Sequence, residues 1–82
     1  MSDTIDRLPA QLNKSGLSRS AHYDLRARGL WVKPIRLKQR AAGNLSSESD
    51  AIVKARAAGK SDDEIRVLVV KLEAARKEGA TP

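Results

Sequence analysis

The fold of this chain is decided by residues 15–29, which read Ser15-Gly16-Leu17-Ser18-Arg19-Ser20-Ala21-His22-Tyr23-Asp24-Leu25-Arg26-Ala27-Arg28-Gly29. Upstream, Leu8 and Leu12 lie one turn apart in a short predicted helix from Leu8 to Lys14, with Pro9 tolerated in its first turn. Ser15-Gly16 stops that helix, because glycine accepts a left-handed C-terminal conformation without a Cβ penalty. Leu17 is a candidate buried plug, and Ser18 is a good N-cap for a second helix from Arg19 to Arg28. Gly29 closes it. Two helices around a three-to-four-residue turn containing glycine form a helix-turn-helix arrangement.

The charge is concentrated around the same segment. Lys14, Arg19, Arg26, Arg28, Lys33, Arg36, Lys38 and Arg40 stand against the single acid Asp24. The rest of the chain carries eight basic residues and nine acids, so residues 14–40 hold +7 and the remainder −1 of the net charge of +6. Both aromatic residues, Tyr23 and Trp31, lie in that window. A localised basic face with an interleaved aromatic is the electrostatic footprint of a polyanion partner, most often DNA or RNA.

At 100° per residue, Ala21 and Leu25 fall on the side of the second helix expected to pack inward, with His22 on its border. Arg19, Ser20, Tyr23 and Ala27 share another face, and Arg26 lies just beside them. A guanidinium, a hydroxyl and a phenol around a small alanine suit a helix entering the major groove, where arginine pairs with guanine acceptors. The competing reading is a solvated basic face, which the turn geometry and the surrounding charge disfavour. His22 is expected to be a partly buried, hydrogen-bonded residue and not a ligand or base. Trp31 is expected to be the main core aromatic.

After Gly29 the pattern changes. Trp31-Val32 and Ile35-Arg36-Leu37 alternate with basic residues around Pro34, which suits an edge strand. Lys38-Gln39-Arg40 reads as a basic hairpin tip and Ala41-Ala42-Gly43 as a returning strand, so the pair forms a wing. Lys33, Arg36, Lys38 and Arg40 are candidate phosphate contacts, Arg40 also by minor-groove insertion. An edge strand guarded by charge against sheet pairing is the bland alternative, and both can hold together.

Helical signals then return. Ser46 or Ser47 is expected to cap a helix covering Glu48 to Ala57, with Ile52 and Val53 as its apolar residues. Ser61-Asp62-Asp63-Glu64 is a capping box opening a last helix from Asp62 to Lys77. Ile65, Leu68, Val69, Leu72 and Ala75 form its stripe at helical spacing, and Val67 and Val70 lie off it. That is more apolar surface than a small domain needs, which makes Ile65, Val67, Leu68, Val70 and Leu72 candidate oligomerisation residues. The expected fold is mostly α with a small β-hairpin wing. Residues 1–6 form a flexible tail, 7–58 the winged helix-turn-helix domain, 60–77 a C-terminal helix and 78–82 a second tail.

Several function classes are disfavoured. The chain has no cysteine, so it offers no disulfide or thiolate site and fits a reducing cytosol. Its single histidine is too little for a structural zinc site. No glycine-rich phosphate loop or suitably placed carboxylate pair appears, and Asp62-Asp63-Glu64 is explained by a helix N-terminus. No enzyme activity, metal, cofactor or small-molecule substrate is expected. No apolar run approaches the ~20 residues of a membrane span, and Met1 to Asp6 is polar and acidic, unlike a signal or transit peptide. The expected location is the cytoplasm, on the bacterial nucleoid. A protein-interaction or antitoxin-like module, its basic face meeting an acidic partner, is the rival from another class.

Gly16-Leu17-Ser18-Arg19-Ser20, Tyr23, Gly29, Lys33-Pro34-Ile35-Arg36-Leu37 and Ser47-Glu48 with Asp50-Ala51 resemble the AlpA family. These are small winged helix-turn-helix proteins of phages and mobile elements, related to excisionases and to the DNA-binding part of the MerR regulators. The resemblance covers roughly residues 8 to 58. It implies sequence-specific binding to double-stranded DNA by the second helix and the wing, with several protomers on adjacent sites. The implied job is that of an excisionase, a recombination directionality factor that bends DNA beside an attachment site so that a site-specific integrase excises the element. The alternative is transcriptional regulation of phage or mobile-element genes. On either, Arg19, Ser20, Tyr23 and Arg26 are the base-proximal candidates. Lys14, Arg28, Lys33, Arg36, Lys38 and Arg40 are the phosphate and wing candidates. Asn44 and Ile52 stand where the family usually carries Trp, which predicts a differently packed core.

Overall fold

Gly16 and Gly29 punctuate the first half of the chain as its sequence requires. In the computed structural model, which describes residues 3–39 and 41–79, α1 (Leu8–Ser15) ends at Gly16 in the left-handed region, φ 71°. Two residues later α2 (Arg19–Ala27) begins, its N-cap Ser18 hydroxyl accepting the Ala21 N–H at 3.3 Å. Gly29, at φ 74°, turns the chain out of α2. The expected hairpin follows as β2 (Ile35–Lys38) and β3 (Ala41–Leu45), antiparallel. Its tip residue Arg40 lies outside the described residues.

β3 runs directly into α3 (Ser46–Ala57), and α4 (Asp62–Gly79) follows a turn at Gly59. The capping box of α4 forms reciprocally: Ser61 Oγ accepts from the Glu64 N–H at 3.2 Å, and Glu64 Oε1 accepts from the Ser61 N–H at 3.0 Å. Those hydrogen bonds from Ser61 hold the exposed Glu64 carboxyl below its usual range. Among the described residues the result is a small mixed domain, mostly helical, with a three-stranded antiparallel sheet. The last three residues fall outside it, so the expected C-terminal tail is described only as far as Gly79, where α4 still continues.

Three expectations are corrected. Within the expected N-terminal tail, Ile5–Asp6 forms β1, giving the sheet order β1-β3-β2 with Ile5 opposite Leu45 and Asp6 opposite Asn44. Gly43 allows this close approach, since a Cβ there would lie 2.5 Å from the Asp6 carbonyl oxygen. The cap of α3 is also not a serine. Leu45 holds the N-cap position with no side-chain cap, and Ser46 and Ser47 are already helical. Asp3 supplies the missing acceptor across the fold, taking the Ser47 N–H at 3.0 Å and the hydroxyls of both serines. Those hydrogen bonds pull the Asp3 carboxyl down to about 2.

The third correction concerns α4. The core comprises Leu30, Trp31, Val32, Ile52, Ile65 and Val69, so it draws on both sides of Gly59 and the boundary there separates no packing units. Ile65 is fully buried, and Leu68 and Leu72 pack against the same cluster. Three of the five candidate oligomerisation residues are therefore consumed inside the protomer. Polar groups lock α4 down as well. Arg76 pairs with buried Glu48 through Nε–Oε2 at 2.7 Å and Nη2–Oε1 at 2.8 Å, and this carboxylate raises the Arg76 pKa. Arg76 also donates to the Lys33 carbonyl, while Glu73 accepts the Lys33 N–H. These contacts hold the segment 31–34 as an irregular strap, buried at Trp31 and Val32 and exposed at Lys33 and Pro34, so the strand starts only at Ile35.

Trp31 is the core aromatic, as expected, and its Nε1 donates to Asn44 Oδ1 at 3.1 Å. The Asn44 amide in turn donates to the Leu45 carbonyl and to Ser49 Oγ. A buried asparagine is tolerable because both ends of its side chain are satisfied.

Candidate nucleic-acid interface

α2 presents one arc to solvent and one to the protein. Arg19, Ser20, Tyr23, Asp24, Ala27 and Arg28 are exposed, Ala21, Leu25 and Arg26 are half-buried, and His22 is fully buried. The buried arc is thus centred closer to His22 than the apolar residues alone suggest. Two physical facts draw it round. His22 stacks edge-on against Trp31, ring centroids 4.8 Å apart, and α1 supplies a polar partner from within.

That partner is Gln11, fully buried and absent from the sequence-based candidates. Its Nε2 donates to the Asp6 carbonyl at 2.8 Å, which fixes the amide orientation. Its Oε1 then lies 2.8 Å from both His22 Nε2 and Arg26 Nη2. Arginine can only donate and the amide oxygen can only accept, so His22 must carry its proton on Nε2. His22 Nδ1 is left buried without a partner among the described residues. Burial, and then the Arg26 charge, lower the His22 pKa. A polar residue three positions after Leu8, on the helix face that packs inward, was the signal that could have revealed Gln11.

The four base-proximal candidates therefore divide. Arg19, Ser20 and Tyr23 are open to solvent, and Arg19 and Ser20 form no side-chain hydrogen bond or ion pair among the described residues. Arg26 is drawn back to Gln11, its guanidinium carbon 5.3 Å from the centroid of the Tyr23 ring. It braces the tyrosine by a cation–π contact instead of standing free.

The hairpin lies next to this arc. A notch of about 460 Å³ is lined by Arg7, Leu8 and Pro9 at the entrance to α1, Tyr23 and Arg26 of α2, and Pro34 and Ala42 of the hairpin. Arg36 pairs with Ala42 across the strands, so it shares the notch side of the sheet. A register shift between Arg36 and Lys38 puts Lys38 opposite Ala41 instead. Neighbouring residues alternate in facing, so the two cations leave the hairpin on different faces. Arg7 was outside the basic window of the sequence, yet it lines the notch.

The phosphate candidates also separate. Lys33, Arg36 and Lys38 are exposed, with no side-chain partner among the described residues. Arg28 forms an exposed pair with Asp24 at 3.6 Å, too weak to neutralise it firmly. Lys14 is different. Its ammonium bridges Asp6 at 2.7 Å and Asp50 at 3.0 Å, which raises its pKa and joins β1, α1 and α3. Lys14 is a structural clamp, its charge already matched by two carboxylates. Arg40, the remaining wing candidate, is outside the described residues.

The assembled surface offers unmatched positive charge, one braced phenol and a free hydroxyl on a helix beside a two-stranded ribbon. Such a surface suits an extended anion, and among the described residues no group of three or more His, Cys, Asp or Glu could hold a metal ion. Compared with known proteins, the chain matches no family model, no curated protein and no solved structure. Among the described residues no helix is long and apolar enough to cross a membrane.

Proposed function

We propose that this protein binds double-stranded DNA in a sequence-specific manner as a winged helix-turn-helix protein, α2 lying in the major groove and the β2–β3 hairpin acting as the wing. The observation that carries the reading is the outward arc of α2. Arg19, Ser20 and Tyr23 are solvent-facing at the N-terminal half of the helix, where groove-reading side chains reach base edges. Arg36 adds positive charge on the same side of the sheet as Tyr23, through the shared notch. Lys33 and Lys38 extend the field around it, supplying the sequence-independent part of the affinity through counterion release.

Within this reading the resemblance to AlpA and excisionase proteins assigns the binding to excision of a mobile element alongside an integrase, or to transcriptional control of its genes. Both require the same primary act, recognition of duplex DNA in the bacterial cytoplasm.

The test is fluorescence anisotropy of the full chain on a labelled duplex from an element's attachment region and on random duplex, at low and moderate salt, followed by footprinting. Tighter binding to the attachment duplex, with a steep salt dependence on both, is expected. Absence of binding to any duplex in dilute buffer overturns the proposal and favours an acidic protein partner.

A further inference from the structure

α4 has a second face, opposite the one that fills the core. At 100° per residue, Asp63, Val67, Val70, Ala74 and Lys77 fall within an arc of roughly 80°. All five are exposed, Val67 at 55% and Val70 at 65%. Their spacing is four, three, four and three residues, the step of a helix-pairing seam. The seam is apolar in the middle, acidic at its start and basic at its end.

This order is self-complementary in one orientation only. Run antiparallel about a two-fold axis at Val70, Val70 meets its own copy and Val67 meets Ala74. Asp63 of one chain, paired with Arg66 of that chain at 3.0 Å, then falls beside Lys77 of the other, at both ends. Run parallel, the ends place Asp63 against Asp63 and Lys77 against Lys77, which repel. On one flank the antiparallel pair also brings Arg66 toward Glu73 of the second copy. Lys71 approaches its own mate near the axis, an opposing element.

We propose that α4 pairs antiparallel with α4 of a second copy of this chain through this seam. The contact spans about 21 Å of helix at 1.5 Å per residue and is well short of a standard interface of ~1,600 Å². The pair is accordingly weak in free solution and strengthens where both copies are held on one scaffold, through effective concentration. A two-fold contact is isologous. On the DNA-binding reading, on which this consequence rests, the two copies of α2 address inverted half-sites.

The chain lacks cysteine, so single thiols report the geometry cleanly. Val70→Cys, Val67→Cys, the double variant Val67→Cys/Ala74→Cys and an α3 control, Ala58→Cys, are oxidised with diamide without DNA and resolved on denaturing gels. Ala58 lines an adjoining groove of about 590 Å³ between α3 and α4, which shares Val67 with the seam and is the alternative seat for a second copy. Disulfides form only when Cα atoms approach within about 7 Å. Val70→Cys and the double variant should cross-link at least several-fold faster than Val67→Cys or Ala58→Cys. Adding Asp63→Lys to Val70→Cys should slow it, and further adding Lys77→Asp should restore it.

Equal rates at all positions overturn the seam. Fast linkage at Val67→Cys with no advantage for the double variant overturns the antiparallel sense, and fast linkage at Ala58→Cys moves the contact to the groove. Anisotropy of the reduced Val70→Cys protein on duplex DNA reads the DNA-binding proposal separately, so either can fail alone.

Discussion

Arg19 and Arg76 are the same side chain put to opposite uses. Arg76 lies on α4, far from the basic window of the sequence, and is absorbed by the fold through a two-point contact with Glu48 and a bond to the Lys33 carbonyl. Arg19 lies on α2 with no partner among the described residues. A cation matched inside a protein holds elements together. One left unmatched on a chain of net charge +6 adds to its self-repulsion and ties no elements together. That contrast is what the DNA-binding proposal for the α2 side rests on.

The sharpest way to break the comparison is to remove each arginine in turn. Arg76→Ala strands the buried Glu48 carboxylate, 2% exposed, without its cation. Loss of one partner of such a pair costs about 3–5 kcal/mol, a large share of the ~5–15 kcal/mol that holds a domain together. Urea unfolding should show the midpoint collapsing; a loss below about 1 kcal/mol would mean that the pair is incidental. Arg19→Ala should leave the unfolding midpoint where it was. Its expected cost is ~1–3 kcal/mol of binding, on the specific duplex and not on random DNA. Equal losses on both would reduce Arg19 to a phosphate contact.

The division between the two arginines also marks what the sequence could convey. Local signals were legible: Ser18 capping α2, Gly16 and Gly29 ending helices, the Ser61–Glu64 box, and a hairpin after Pro34. So was the outward placement of Arg19, Ser20 and Tyr23, because helix periodicity is local. Long-range pairings were not. Glu48 and Arg76 are 28 residues apart, and Asp3 and Ser46 are 43 apart. Nothing in composition tells a carboxylate that will cap a distant helix from one in a solvated tail. Gln11 and Arg26 failed in the same way, since a polar side chain is read as exposed until its buried partner is known.

Lys14 and Arg36 sharpen the comparison at smaller amplitude, inside the basic window itself. Both counted equally as charge in the sequence, yet Lys14 is bound to Asp6 and Asp50 while Arg36 is open. Arg36→Ala should reduce the slope of log affinity against log salt by ~1. Lys14→Ala should leave that slope nearly intact and lower stability instead, because Asp6 is largely buried and loses its cation. Matching slopes for the two variants would show that Lys14 is released to DNA on binding.

The two regions meet at His22, and there the difference becomes a pH dependence. Its Nε2 proton is committed to Gln11, so a second proton must enter at buried Nδ1, which faces no acceptor among the described residues. Burial and the neighbouring Arg26 charge both oppose that proton, and the folded-state pKa lies below the ordinary 6.5. The unfolded chain therefore takes up the proton first as pH falls. Stability from this site is complete above about pH 6.5 and drains away as pH drops through and below it, until the folded state titrates too. Asp3 adds a separate loss in stronger acid, between its ordinary value of 3.8 and about 2. Urea midpoints from pH 7.5 to 5 should fall for the native chain and stay flatter for His22→Phe, which has no group to titrate there. Because Gln11 holds both His22 and Arg26, proton uptake by the folded state, which comes at lower pH than in the unfolded chain, should loosen the Arg26–Tyr23 contact and weaken specific DNA binding. If specific and random affinities change in parallel over that interval, the histidine serves the core alone, and the line between the buried and open arginines falls at Gln11.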